Sequence, residues 1–145
     1  FREPWDGPHN RRLIGAMPSL YVCPSHAENG TTDRTCYVAV VGPGTAFPGS
    51  GTTSSADIRD GPSHTVMVVE AVDADIPWTE PRDLETARMS FRINDPNRRG
   101  PSSRHPGGVN VMFADAHYRF LKDETPAERL KALVTIGGRD DDRGD

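Results

Sequence analysis

Apolar and polar positions alternate most regularly near the C-terminal end of this chain. Val109, Val111 and Phe113 interleave with Asn110, Met112 and Ala114, and Tyr118 and Phe120 then interleave with His117 and Arg119. A period of two marks a strand with one face in the core. Two such runs around Asp115-Ala116 predict a β-hairpin. Asp-Gly would suit a two-residue turn, whereas Ala116 tolerates positive φ poorly, so a longer turn or a bulge is expected. Gly107 and Gly108 allow a sharp entry into the first strand.

Two further runs, CYVAVV at 36–41 and TVMVVEAV at 65–72, are too apolar to alternate. They predict buried strands. The second is apolar on both faces over 66–69 and is expected at the centre of a sheet. Residues 20–23 predict a short strand. A short helix is expected over 8–17, with Pro8 in its first turn and Leu13, Ile14 and Met17 facing the core. Pro81 opens a helical turn through Leu84. Residues 98–104 read as a solvated basic connector, and 42–55 as an exposed, mobile loop. A second helix is predicted after Thr125, with Thr125 as N-cap, Pro126 in the first position and Glu128 closing a capping box. Leu130, Leu133, Val134 and Ile136 form its apolar side, and Gly137-Gly138 ends it. The fold class that follows is α+β, a mostly antiparallel sheet with short flanking helices.

Composition narrows this picture. The 145 residues suit a single globular domain over 1–138, followed by a charged, disordered tail over 139–145. With 14 glycines and 13 prolines the chain favours a loop-rich, strand-based module over a helical bundle. The net charge is −4, and no basic stripe interleaves with aromatics, so nucleic acid is not an expected partner. No apolar run is long enough to span a membrane within these residues.

Candidate chemistry is sparse. His105, His117, His64, Glu70, Asp57, Asp60 and Asp115 are the raw materials for acid–base work or metal ligation. No HExxH, GxSxG or phosphate-binding glycine loop organises them. Ser63 and His64 are neighbours on a strand approach, where their side chains would point apart. Asp57, Asp60 and Ser63 offer oxygen ligands for calcium, or Asp60-Gly61 simply makes a turn that Asp57 caps. A metal-dependent hydrolase would need His105, Asp115 and a further carboxylate together. The expectation is no enzyme, no metal and no cofactor. Trp5 and Trp78 are read as plugs at the edge of the core or as binding platforms. Cys23 and Cys36 lack the CxxC spacing of a zinc site. They form either a bridge, worth about 3 kcal/mol in the chain-entropy model, or two unpaired, half-buried thiols.

His105, Pro106, Gly107, Gly108, Asn110 and Asp115 also form a motif, with nine residues between the histidine and the aspartate. It resembles the prepilin-type processing-associated motif H-x9-DG of the bacterial family called Domain of Unknown Function 1559, also labelled solute-binding-like. EPWDGPHN at 3–10, CPS at 23–25, TCYVAVVGPGTAFPG at 35–49 and ADIRDGPSHTVMVVEAVDADIPWTEPRDL at 56–84 resemble other segments of that family, in order. Ala116 departs from it, standing where glycine is usual. The resemblance implies a pilin-like globular domain lacking its N-terminal helix, because members begin with a prepilin leader and a long apolar helix. The chain starts at Phe1 inside a family-like segment and is read as part of a longer prepilin-like protein. The implied role is non-catalytic: an extracytoplasmic, membrane-anchored domain of the cell envelope whose partners are other pilin-like subunits, envelope components and, through the missing helix, the membrane. The alternative is a solute- or carbohydrate-binding module using Trp78, Glu70 and the 42–55 loop. In either case His105 is expected near the sheet, bonded to a backbone or carboxylate group.

Overall fold

Five strands form one mixed, mostly antiparallel sheet in the order β3-β1-β2-β4-β5. The computed structural model describes residues 2–29, 33–97 and 99–138; the 139–145 tail and Arg98 lie outside them. β1 (Tyr37–Val41), β2 (Val66–Glu70), β4 (Gly108–Phe113) and β5 (Tyr118–Lys122) fall where the apolar patterns place them. β2 is the middle strand, antiparallel to both β1 and β4. β3 (Leu84–Glu85) runs parallel to β1 and replaces the expected helical turn. Two residues are too few to show a period, so only the pairing with Val40 and Val41 defines this strand.

One face of the sheet carries the core. Val38, Val40, Val66, Val69, Val109, Val111, Phe113 and Leu121 pack there against Leu130, Leu133 and Val134 of helix α1 (Ala127–Leu133) and its end. An irregularity between Val66 and Val68 lets both Val66 and Val69 face inward. The opposite face carries Ala39, Val68, Met112, Tyr118 and Phe120, none of which is buried. Met112 pairs with Tyr118, and Asn110 with Phe120. Among the described residues no helix is long and apolar enough to cross a membrane.

The β4–β5 connection is longer than a two-residue turn. Ala116 N–H donates to Phe113 O, and Phe113 N–H to His117 O, which leaves a three-residue loop. Its third residue, Ala116, has φ 69°. This is the position where a three-residue hairpin favours glycine.

Several local expectations are corrected. The 8–17 helix is a 3₁₀ segment, Asn10–Ala16, with no buried residue. Leu13 is 52% exposed, and Ile14 and Met17 are only half-buried. Residues 20–23 form no strand; a 3₁₀ turn, Ser19–Tyr21, stands there. The capping box at Thr125 is absent. Pro126 has ψ 142° and stands outside the helix, so the cap shifts one residue on and no side chain fills it. Residues 100–103 are buried rather than a solvated connector, with Ser102 bridged to Ala71 and Arg104 paired to Asp73 at 2.8 Å. The 42–55 loop is partly tied down. Thr45 is buried, bonds Gly42 O and Phe47 O, and bridges to Thr135.

Candidate functional site

The register of β2 against its neighbours decides where the family motif points. Val69 pairs with Val111 on the core face, so Glu70 lies next to Asn110 on the opposite face. Glu70 is nevertheless only 1% exposed, because the 103–107 loop and the N-terminal segment around Cys23 close over this end of the sheet. A buried carboxylate must be hydrogen-bonded. Asn110 donates to Oε2 from its backbone N–H at 2.7 Å and from Nδ2 at 3.3 Å. His105 Nε2 lies 3.1 Å from Oε1. The histidine therefore has the carboxylate partner expected of it, supplied by Glu70.

Cys23 completes the group. Its Sγ lies 3.3 Å from His105 Nε2, and Ser25 Oγ lies 3.3 Å from Nδ1 on the other side of the ring. The edge of the imidazole meets the Phe120 ring at 6.5 Å between centroids. The loop carrying His105 is set by Ser103, whose hydroxyl donates to Gly108 O at 2.6 Å and accepts from His105 N–H at 3.0 Å. Gly108 is needed because a Cβ would lie 2.1 Å from Leu121 O across the hairpin. Pro106 and Gly107 are exposed and form the bend between His105 and β4.

Cys23 and Cys36 are free, buried thiols in a small cluster with Val72, in place of the bridge considered above. Cys23 Sγ instead meets the imidazole. Burial raises the Cys23 thiol above its usual range, as it does that of Cys36. Burial also pushes the Tyr37 phenol up to about 12. A nucleophilic cysteine shows the opposite, a thiol lowered towards the thiolate. The geometry differs from a nucleophile–base–acid relay as well. Such a relay uses both imidazole nitrogens in sequence, but here the thiol and the carboxylate converge on Nε2. What the arrangement does offer is a sulfur, a nitrogen and an oxygen facing one point, all within 4.8 Å of one another.

The remaining candidates are dispersed. Asp115 bonds His117 across the hairpin loop, and this lowers its carboxyl below the usual range. It makes no group with His105, as a metal-dependent hydrolase would require. Asp57 accepts from Ser54 N–H and Oγ, whereas Asp60 accepts from Gly138 N–H, so the two carboxylates serve different partners. Ser63 Oγ does meet His64 Nδ1, at 3.1 Å, because this segment is a 3₁₀ turn rather than a strand approach. Trp78 is committed to packing. Its Nε1 donates to Ile14 O at 2.9 Å, and its ring lies against Tyr21. The 42–55 loop borders a shallow concavity of about 750 Å³, whose walls include Arg59 and Ile136 but neither Trp78 nor Glu70. That concavity does not join the three parts of the expected binding surface. The residue that sequence reasoning left out of the His105 group is Cys23, which it read as half of a bridge or as an unpaired, half-buried thiol.

Comparison with known proteins adds one finding. A family model described as Protein of unknown function (DUF1559), with the label SBP_bac_10, matches residues 71–128. The match includes His105, Asn110 and Asp115 and leaves Cys23 and Glu70 outside. No curated protein and no solved structure matches the chain. Over residues 71–128 this chain thus matches the DUF1559 family, the same family that its His105-to-Asp115 motif resembles.

Proposed function

We propose that this chain is a non-catalytic, extracytoplasmic module of a prepilin-like envelope protein, and that the outer face of its sheet packs against other pilin-like subunits. The observation that carries this reading is that face. Met112, Tyr118 and Phe120 stand side by side on β4 and β5, with Tyr118 79% exposed. Exposed aromatic side chains grouped on one surface are a feature of protein contact sites. The motif supports the reading by fixing the hairpin that carries that face: His105 and Asn110 bond Glu70 of the central strand.

The test is a photo-crosslinking residue at Tyr118 in the full-length protein in its native membrane, with one at exposed Arg88 as reference. Crosslinks from Tyr118 to pilin-like subunits, and a mature N-terminus at a methylated apolar residue, are the expected result. A conventional signal-peptide cut, with no crosslink from either position, would overturn it. Solute binding is a second reading, favoured by the 750 Å³ concavity beside Arg59. A rise in melting temperature with one class of small solute, lost in Arg59→Ala, would move that reading to first place.

A further inference from the structure

The Cys23–Glu70–His105 group has a chemistry that the packing role leaves unused. We infer that these three side chains form a site for a borderline divalent cation of the zinc class, with one coordination position left open.

The donor set is the first argument. A thiolate, an imidazole nitrogen and a carboxylate oxygen are the ligand types that zinc takes, and three protein ligands with a fourth position free for water is an established geometry for it. Hard cations prefer all-oxygen shells and would not select this sulfur.

Distance is the second. Zinc bonds of about 2.0–2.3 Å in a tetrahedron separate the ligand atoms by roughly 3.4–3.6 Å. Here His105 Nε2 lies 3.3 Å from Cys23 Sγ and 3.1 Å from Glu70 Oε1. Those two separations need a few tenths of an ångström of expansion, and all three ligand atoms already lie within 4.8 Å of one another. The backbone is already held: Glu70 ends the central strand, and His105 is fixed through Ser103.

The second shell is the third argument. A ligating histidine donates its other ring N–H to a fixed acceptor, which sets the tautomer. Ser25 Oγ is in that place, 3.3 Å from Nδ1. With Nδ1–H donating to Ser25, the Nε2 lone pair is free for the ion. Asn110 likewise holds Glu70 through Oε2 and leaves Oε1 for the ion. Among the described residues, the salt-bridge contact of the buried Glu70 carboxylate is His105, which carries charge only when protonated, so a cation adds charge where compensation is thin. Binding forms a sulfur–metal bond and releases the thiol proton of Cys23 to solvent.

The test uses the reduced chain and cobalt(II) as a probe, followed by zinc. The expected result is one equivalent bound per chain, a thiolate-to-cobalt charge-transfer band, and its displacement by zinc. Cys36→Ser retains the band, Cys23→Ser abolishes it, and Ser25→Ala weakens binding about tenfold. No band at one equivalent, or a band that survives Cys23→Ser, overturns the site. Should Cys23→Ser not fold, alkylation of the unmodified chain decides the matter. Zinc is expected to slow modification of Cys23 about tenfold more than that of Cys36, and equal protection overturns the proposal.

Discussion

His105 Nε2 stands 3.1 Å from Oε1 of Glu70, a carboxylate with 1% of its surface exposed. The imidazole is the lid over that group. Removing it leaves Glu70 buried with Asn110 as its remaining donor. We expect His105→Ala to cost about 1–3 kcal/mol, the usual cost of stranding a buried polar group. Urea unfolding followed by circular dichroism measures it. A loss below a few tenths of a kcal/mol would mean that the imidazole carries no structural share.

Ala116 holds φ 69° at the end of the hairpin loop. A side chain in this region costs of order 1 kcal/mol or more, and glycine avoids that cost at some expense in unfolded-state entropy. Ala116→Gly is therefore expected to stabilise the protein by up to about 1 kcal/mol, a rise of about 2–4 °C in melting temperature for a chain of this size. The sequence departs here from the motif it resembles, against its own stability.

Gly108 responds in the opposite direction. An added Cβ would lie 2.1 Å from the carbonyl oxygen of Leu121, which the β4–β5 ladder holds in place. Gly108→Ala is expected to cost about 1–3 kcal/mol through forced separation of the strands. At Gly107 an added Cβ meets nothing within 4 Å, so a replacement there meets only the backbone penalty of φ 84°. Melting temperatures should therefore fall further for Gly108→Ala than for Gly107→Ala, and the reverse order would show that the hairpin opens readily.

The Asp115–His117 pair adds a dependence on acid. The hydrogen bond from His117 lowers the Asp115 carboxyl below its ordinary value of 3.8. A carboxylate depressed in the folded state stabilises it above the unfolded pKa, and that contribution disappears as pH falls through the folded value. The pair thus helps at neutral pH and begins to fail below about pH 4. In a carboxyl titration by NMR, His117→Phe should raise the Asp115 midpoint towards the ordinary range. An unchanged midpoint would assign the depression to the loop backbone.

Trp78 fastens a segment that has no fully buried side chain of its own. The 3₁₀ stretch Asn10–Ala16 has no buried residue, yet Ile14 O receives the indole N–H at 2.9 Å. Trp78→Phe removes that bond while keeping most of the ring, so this stretch should open locally with little change in global unfolding. Faster tryptic cleavage at Arg11 and Arg12 is the expected readout. Cleavage at the unmodified rate would show that other contacts hold the segment.

What the sequence reveals depends on how local the cause is. β1, β2 and the hairpin follow from apolar patterns a few residues long, and Ala116 itself signals the longer loop. A carboxylate partner for His105 is foreseeable, because a glutamate inside VMVVEAV must find donors if it is buried. That this partner is Glu70, held also by Asn110, depends on strand register, which no single strand encodes. Leu84 and Glu85 become a strand only because β1 offers an edge. Leu13 has helical spacing but stays exposed, since its segment docks through a backbone carbonyl rather than an apolar face. Cys23 carries no local sign of its role, because its partner lies 82 residues away.

That separation also bears on the order of folding. A contact closed across most of the chain incurs its loop entropy before it returns any stability, so such contacts form late. The β4–β5 hairpin needs only neighbours, whereas the meeting of Cys23 with His105 waits until β1, β2 and β4 are aligned. Substitutions at Cys23 or His105 should accordingly leave the refolding rate nearly unchanged and quicken unfolding. The site then acts as a late latch, setting how long the native state lasts more than how soon it is reached.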